Sequence, residues 1–192
     1  MIYLASASPR RQELLRQLGI AFEAMPSNVN ESREPGETPE HYVVRVALDK
    51  ARHVAVVVRQ QGIPAQPVLG ADTEVVLDGQ VLGKPLDREH GITMLRQIQG
   101  RTHEVLTAVA LLHDGCEYTL LSRSRVSFAP MTDAEIENYW ITGEPADKAG
   151  AYAVQGRAAA FIERLEGSYS GVMGLPLYEL VQLFKHAGVM RA

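Results

Sequence analysis

The chain has a single cysteine, Cys116, so neither a disulfide framework nor a cysteine-based zinc site can form within it. That usage predicts a reducing, cytoplasmic setting. Cys116 lies in an apolar stretch and reads as a small core or edge residue, not as a nucleophile. No apolar run approaches the ~18 residues of a membrane span. The amino end has the pattern of a strand and lacks the apolar core of a signal peptide. An excess of positive charge is missing too, with 19 lysines and arginines against 23 acids and a net charge of −4. Aromatic residues are only 6% of the chain. A basic, aromatic-rich face for nucleic acid is therefore not expected, and cationic groups must act locally, on a small anionic ligand. There is no G-x-G-x-x-G after the first strand and no Walker lysine motif, which disfavours dinucleotide and P-loop folds.

What is present is enough for a sizeable core, since 46% of the 192 residues are hydrophobic. One domain over residues 1–192, in two lobes, is expected. Ile2 to Ala5 reads as a buried strand, Arg10 to Leu18 as a helix stopped by Gly19, and Ala21 to Met25 as a short strand. Pro26 to Glu37 is a polar loop, and Pro39 to about Gln60 is the longest helix. Val43, Val46, Ala47, Lys50, Ala51, Val54 and Val58 recur on it at three- and four-residue steps. Lys50 thus sits on the stripe that otherwise faces the core, either snorkelling at its end or pointing into a cleft.

Pro67 to Ala71 is an apolar strand running into Asp72-Thr73, and Glu74 to Leu82 a hairpin around Asp78-Gly79. A helix from about Asp87 to Gln99 precedes two longer strands, Val105 to Leu112 and Tyr118 to Phe128. Thr132 to Glu135 is a capping box for a helix through Trp140. Gly143 to Gln155 is loop-rich, Ala159 to Leu165 reads as a strand, and Pro176 starts a last helix stopped by Gly188. Strands and helices alternate unevenly with hairpins between them, which predicts an α/β fold with a mixed β-sheet and flanking helices.

Chemistry is suggested first at the amino end. Leu4-Ala5-Ser6-Ala7-Ser8-Pro9-Arg10-Arg11 is a strand, a small-residue loop and a helix start, with Ser8 as N-cap and Pro9 at the first helical position. Two arginines in a first turn have the wrong sign for the helix dipole, so they suit an anion in front of them. Gly70-Ala71-Asp72-Thr73 delivers a carboxylate at the carboxyl end of a buried strand, where it can hold a metal, act as a base, or cap a turn. Lys84 stands between Gly83 and Pro85, Glu31 in the polar loop, Lys148 beside Asp147, Gln155 before Gly156, and His103 after Thr102. Each of these alone reads as an ordinary surface or turn residue. Together, three lysines, two arginines and at least two acids at strand ends and loops are what a polyphosphate with a hard metal ion requires.

The order of these segments resembles the Maf family of nucleoside triphosphate pyrophosphatases over nearly the whole chain. The matching segments are Leu4 to Arg11, Glu31, Lys50-Ala51, Gly70 to Thr73, Gly83 to Pro85, Thr102-His103, Gly143 to Tyr152, Val154 to Gly156 and Gly174 to Leu177. The resemblance implies an elongated, two-lobed Maf/ITPase-like fold with a central cleft, usually as a homodimer. It implies hydrolysis of a nucleoside triphosphate to the monophosphate and pyrophosphate with a divalent cation, magnesium or manganese. By motif match, Asp72 is the catalytic carboxylate and Glu31 joins it at the metal. Lys50, Lys84, Arg11 and Ser8 would contact phosphate, with Arg10 beside them. The branch resembling dTTP/UTP pyrophosphatases carries arginine, threonine and glutamine where this chain has Arg10, Thr73 and Gln155. The sister branch acting on 7-methyl-GTP has tryptophan, glutamine and glutamate there. Gly171 departs from the pattern, since relatives often have asparagine at that place. A nucleotide-binding regulator of septum formation with little turnover is the alternative the family offers.

Overall fold

Two tight turns organise the middle of the chain. Asp78-Gly79 and Asp114-Gly115 have positive φ at both residues, 51° and 77° in the first and 48° and 76° in the second. That is the backbone of a two-residue hairpin loop, whose twist matches that of the strands it joins. The computed structural model describes residues 1–190. The strands are β1 (Ile2–Leu4), β2 (Phe22–Ala24), β3 (Val68–Leu77), β4 (Gln80–Leu82), β5 (Thr102–His113), β6 (Cys116–Phe128) and β7 (Ile162–Glu166). The helices are α1 (Pro9–Gln17), α2 (Pro39–Gln60), α3 (Arg88–Ile98), α4 (Asp133–Ile141), α5 (Tyr169–Met173) and α6 (Leu177–His186). Thr132 and Glu135 form the predicted capping box at the start of α4.

All seven strands join one sheet in the order β2-β1-β3-β5-β6-β7, with β4 also on β3. β1 pairs parallel with β2 and β3, and the remaining pairings are antiparallel. The sheet is mixed and flanked by helices, as the uneven alternation predicts. α2 covers one face. Its stripe of Val43, Ala47, Ala51, Val54 and Val58 packs on Tyr3, Val68, Val76, Leu106, Ala108 and Ala110. The opposite face carries two separate clusters. Leu14 and Leu15 of α1 and Leu180, Leu183 and Phe184 of α6 cover one end. Ile92, Leu95 and Ile98 of α3 and Ile136 and Tyr139 of α4 cover the other.

The register of β3 opens a notch between those ends. β1 pairs with β3 only at Val68 and Leu69. β4 pairs with the same edge only from Val75 to Leu77. Gly70 to Glu74 therefore have no strand neighbour on that edge among the described residues, while β5 pairs continuously on the other. This corrects one expectation. Asp72 does not stand at the end of a strand; β3 runs unbroken from Val68 to Leu77, and β1 is the strand that stops. The physical reason is that β5 holds the far edge of β3 in register from Val68 to Val76, so the backbone stays extended past the carboxylate.

Two smaller differences, and the choice between the two readings of Cys116, have local causes. The expected strand from Ala159 begins only at Ile162, because Arg157–Phe161 coils as a 3₁₀ segment first. Ser168 caps the short α5 by accepting from the Gly171 N–H at 3.0 Å, an element too short for periodicity to reveal. Cys116 is exposed as the first residue of β6, an edge position just past the hairpin turn, outside the core.

Candidate active site

A cleft of about 410 Å³ opens at the notch. It gathers Ser8, Arg10, Arg11, Glu31, Lys50, Asp72, Thr73, Lys84 and Gln155, all nominated from the sequence. His103 is the nominated histidine that stays outside. It is buried, bonds Tyr152 Oη at 2.8 Å through Nε2, and burial pulls its pKa down to about 4. His103 thus orients Tyr152, which does line the cleft.

The centre of the site follows from one close approach. A Cβ at Gly70 would lie 2.1 Å from the Ala47 carbonyl oxygen, so α2 rests directly on the β3 backbone. Lys50, one turn farther along α2, is brought over Asp72 and donates to its Oδ1 at 2.7 Å. The same ammonium lies 3.1 Å from Glu31 Oε1. Lys50 and Asp72 are both buried, while the Glu31 side chain is 48% exposed. Of the two readings for Lys50, the structure shows the one that points into a cleft. Glu31 is held by its backbone. Tyr42 of α2 donates to its carbonyl at 2.6 Å, and Arg45 holds the adjacent Ser32 carbonyl and the Glu37 carboxylate. That bidentate pairing keeps Glu37 at about 2, well below the usual carboxylate range.

Glu74 is a cleft residue that sequence reasoning missed. It is two residues beyond Asp72 on β3, on the same face, buried at the cleft. Burial pushes its carboxyl up to about 8, and the Asp72 charge adds to the rise. Glu74 Oε2 and Asp72 Oδ2 are both buried and without a hydrogen-bond partner. The signal that would have found Glu74 is the two-residue period of a strand continuing past Asp72.

Across the cleft, α1 presents its amino end. Ser8 accepts from the Arg11 N–H at 3.5 Å, and Ser6 Oγ accepts from the Ser8 N–H at 3.2 Å. The two arginines divide. Arg10 is half-buried and lines the cleft. Arg11 donates to the Gly174 carbonyl, Ser6 Oγ and Thr73 Oγ1 at 2.8, 3.3 and 3.2 Å. A guanidinium has five N–H groups, so two remain for an incoming anion. Desolvation pulls the Arg11 pKa below its ordinary value. Thr73 is fixed in turn by Thr107, whose Oγ1 lies 3.1 Å away. Lys84 lines the far wall with no ion-pair partner among the described residues, while Lys148 is paired with Asp147.

Gln155 projects from a loop that Glu144 pins. The Glu144 carboxylate accepts from Tyr139 Oη at 2.6 Å and from the Arg157 and Ala158 N–H groups at 2.9 and 3.4 Å. Tyr139 Oη also accepts from the Ala153 N–H at 3.2 Å, so both sides of Gln155 are tied down. A Cβ at Gly156 would fall 2.2 Å from Glu144 Oε2, which is why the residue after Gln155 has no side chain.

A mixed sheet opened at its centre, with a helix amino end and several cations facing buried carboxylates across the gap, defines an α/β protein built for a polyphosphate anion. Residues 1–187 match the Maf family, described as Maf-like protein, and the chain belongs to that family. It is 57% identical over 185 residues to the dTTP/UTP pyrophosphatase of Alkalilimnicola ehrlichii, covering 95% of this chain and 90% of that one. It is 50% identical to the protein of the same name from Bordetella avium, with 98% and 96% covered. The Methylococcus capsulatus dTTP/UTP pyrophosphatase is 51% identical, with 98% and 91% covered.

Proposed function

We propose that this chain hydrolyses dTTP and UTP to the monophosphate and pyrophosphate with the help of a divalent cation. The observation that carries the reading is the convergence of Lys50, Asp72, Lys84 and the α1 amino end in one cleft. The names of relatives at 50–57% identity support the choice of substrate. Magnesium or manganese suits the hard oxygens present, Asp72 Oδ2 above all, since it is buried and unpartnered. Glu31 stands on the other side of Lys50 as a second oxygen donor. The cation would neutralise phosphate charge and polarise the phosphorus under attack.

The chain's own groups supply the rest. Asp72 is an acceptor on four lone-pair sites, of which Lys50 takes one, and it orients the attacking water and receives its proton. Lys84 and the spare N–H groups of Arg11 neutralise the pyrophosphate as it leaves, with Ser8 and the α1 amino end beside them. Gln155, Arg10 and Thr73 surround the base. The amide of Gln155 presents both donor and acceptor, which matches an imide edge of acceptors flanking a donor. A homodimer in the cytoplasm belongs to the same reading; the dimer rests on the family alone and the compartment on the single cysteine. Among the described residues no helix is long and apolar enough to cross a membrane.

The test is a panel of nucleoside triphosphates scored for monophosphate and pyrophosphate, with magnesium, with manganese and with excess chelator. dTTP and UTP should rank above ATP, GTP and 7-methyl-GTP, and chelator should abolish turnover until either metal is restored. Full turnover in chelator, or 7-methyl-GTP as the best substrate, would overturn the metal or the substrate assignment respectively.

A further inference from the structure

We propose that Glu74, together with Asp72, forms the protein half of the divalent-cation site, ahead of Glu31. The inference rests on the reading of the cleft as a triphosphate site with a cation. Among the described residues no three histidine, cysteine or acidic side chains stand close enough to hold a metal unaided. A site completed by substrate therefore needs one or two carboxylates with free oxygens, the usual way magnesium is held beside phosphates. Three acids are available, and they differ in what already occupies them.

Glu31 is half exposed and has one oxygen 3.1 Å from the Lys50 ammonium. Asp72 gives Oδ1 to the same ammonium at 2.7 Å and keeps Oδ2 unpartnered. Glu74 has no cation or hydrogen-bond donor on its buried Oε2, and it is only 8% exposed. An ionised carboxylate buried in that state is costly unless a cation joins it. Alternate residues of a strand share a face and stand about 6.6–6.8 Å apart along it, so the carboxyl groups of Asp72 and Glu74 can converge on one ion. Both line the cleft on the strand edge left bare by the notch. Lys50 holds Glu31 and one side of Asp72, and the free side of Asp72 together with Glu74 is left for the metal.

The experiment is a manganese titration of the full chain, read by the electron paramagnetic resonance of free Mn²⁺, in the presence of α,β-imido-UTP. Glu74→Gln removes the charge and keeps the shape. Glu74→Val is a second variant, with a residue suited to a strand interior. Both should weaken Mn²⁺ binding at least about tenfold. Glu31→Gln should weaken it by less than either Glu74 variant does, because its charge is screened and already shared with Lys50. Wild-type affinity in both folded Glu74 variants, a larger loss in Glu31→Gln, or no Mn²⁺ binding by the wild-type complex would each overturn the assignment. Tight Mn²⁺ binding that depends on Glu74, without pyrophosphate release from UTP, would sink the proposed activity and leave the cation site standing.

Discussion

Replacing Lys50 by methionine probes the junction on which the site depends. The unbranched side chain keeps the stem packed between α2 and β3 and removes only the charge. In the intact protein the ammonium lies 2.7 Å from Asp72 Oδ1, and both side chains are under 10% exposed. At an effective dielectric of about 20 the gross attraction is about 6 kcal/mol, most of it offset by desolvation of the pair. Removing one partner leaves Asp72 buried beside Glu74 with no direct ion-pair partner, and such losses cost about 3–5 kcal/mol. Glu31 adds little, since its side chain is 48% exposed and solvent screens it. For a chain of this size, Tm should fall by roughly 10 °C. The double variant Lys50→Met/Asp72→Asn should regain at least half of the loss, because no buried charge is then stranded. Thermal denaturation followed by circular dichroism reads both. Turnover of UTP, dTTP and ATP should fall alike, by about 10²-fold, since phosphate charge is common to all three. A Lys50→Met protein within about 1 kcal/mol of wild type, with no recovery in the double variant, would refute the reasoning.

The loop of Gln155 and the buried histidine make two further predictions. Glu144→Gln cannot accept the Tyr139, Arg157 and Ala158 donors as a carboxylate does, so the loop should loosen. kcat/KM for UTP should drop by about tenfold or more relative to that for ATP, and an unchanged UTP-to-ATP ratio would show that Glu144 does not position Gln155. His103 has its pKa lowered from 6.5 to about 4 by burial, so between those values the unfolded chain binds the proton that the folded chain refuses. Stability from this group is complete above about pH 6.5 and is lost as pH falls toward 4, by about 3 kcal/mol in all. Chemical denaturation at stepped pH should show a shallower acid loss in His103→Gln than in wild type; parallel curves would remove His103 as a source.

Much of the architecture was legible because its signals are local. The stripe on α2 comprises Val43, Val46, Ala47, Lys50, Ala51, Val54 and Val58, and all seven are buried in the structure. The Asp-Gly turns, the Thr132 capping box and the glycine after α1 each carry their own geometry within a few residues. Arg11 shows where that legibility stopped. Its sequence position fits an anion at a helix start. Its partners, Gly174 and Thr73, are 163 and 62 residues away, and only folding reveals that the guanidinium is partly occupied by the protein.

The sequence by itself determined most of the elements, the mixed α/β class, the Maf family and most of the residues that meet in the cleft. Those properties rest on periodicity, turn chemistry and the order of motifs, all of which are written along the chain. Only the tertiary structure decided that β3 runs through Asp72 unbroken, that on one edge β1 pairs with it no farther than Leu69 and β4 only from Val75, and that the cleft is the gap between them. It also decided that Glu74 is buried with a free oxygen, where a strand pattern alone reads a glutamate as solvated. Strand pairing is made between residues far apart in sequence. The length of a neighbouring strand, and so the exposure of a carboxylate, is not encoded in the segment that carries it.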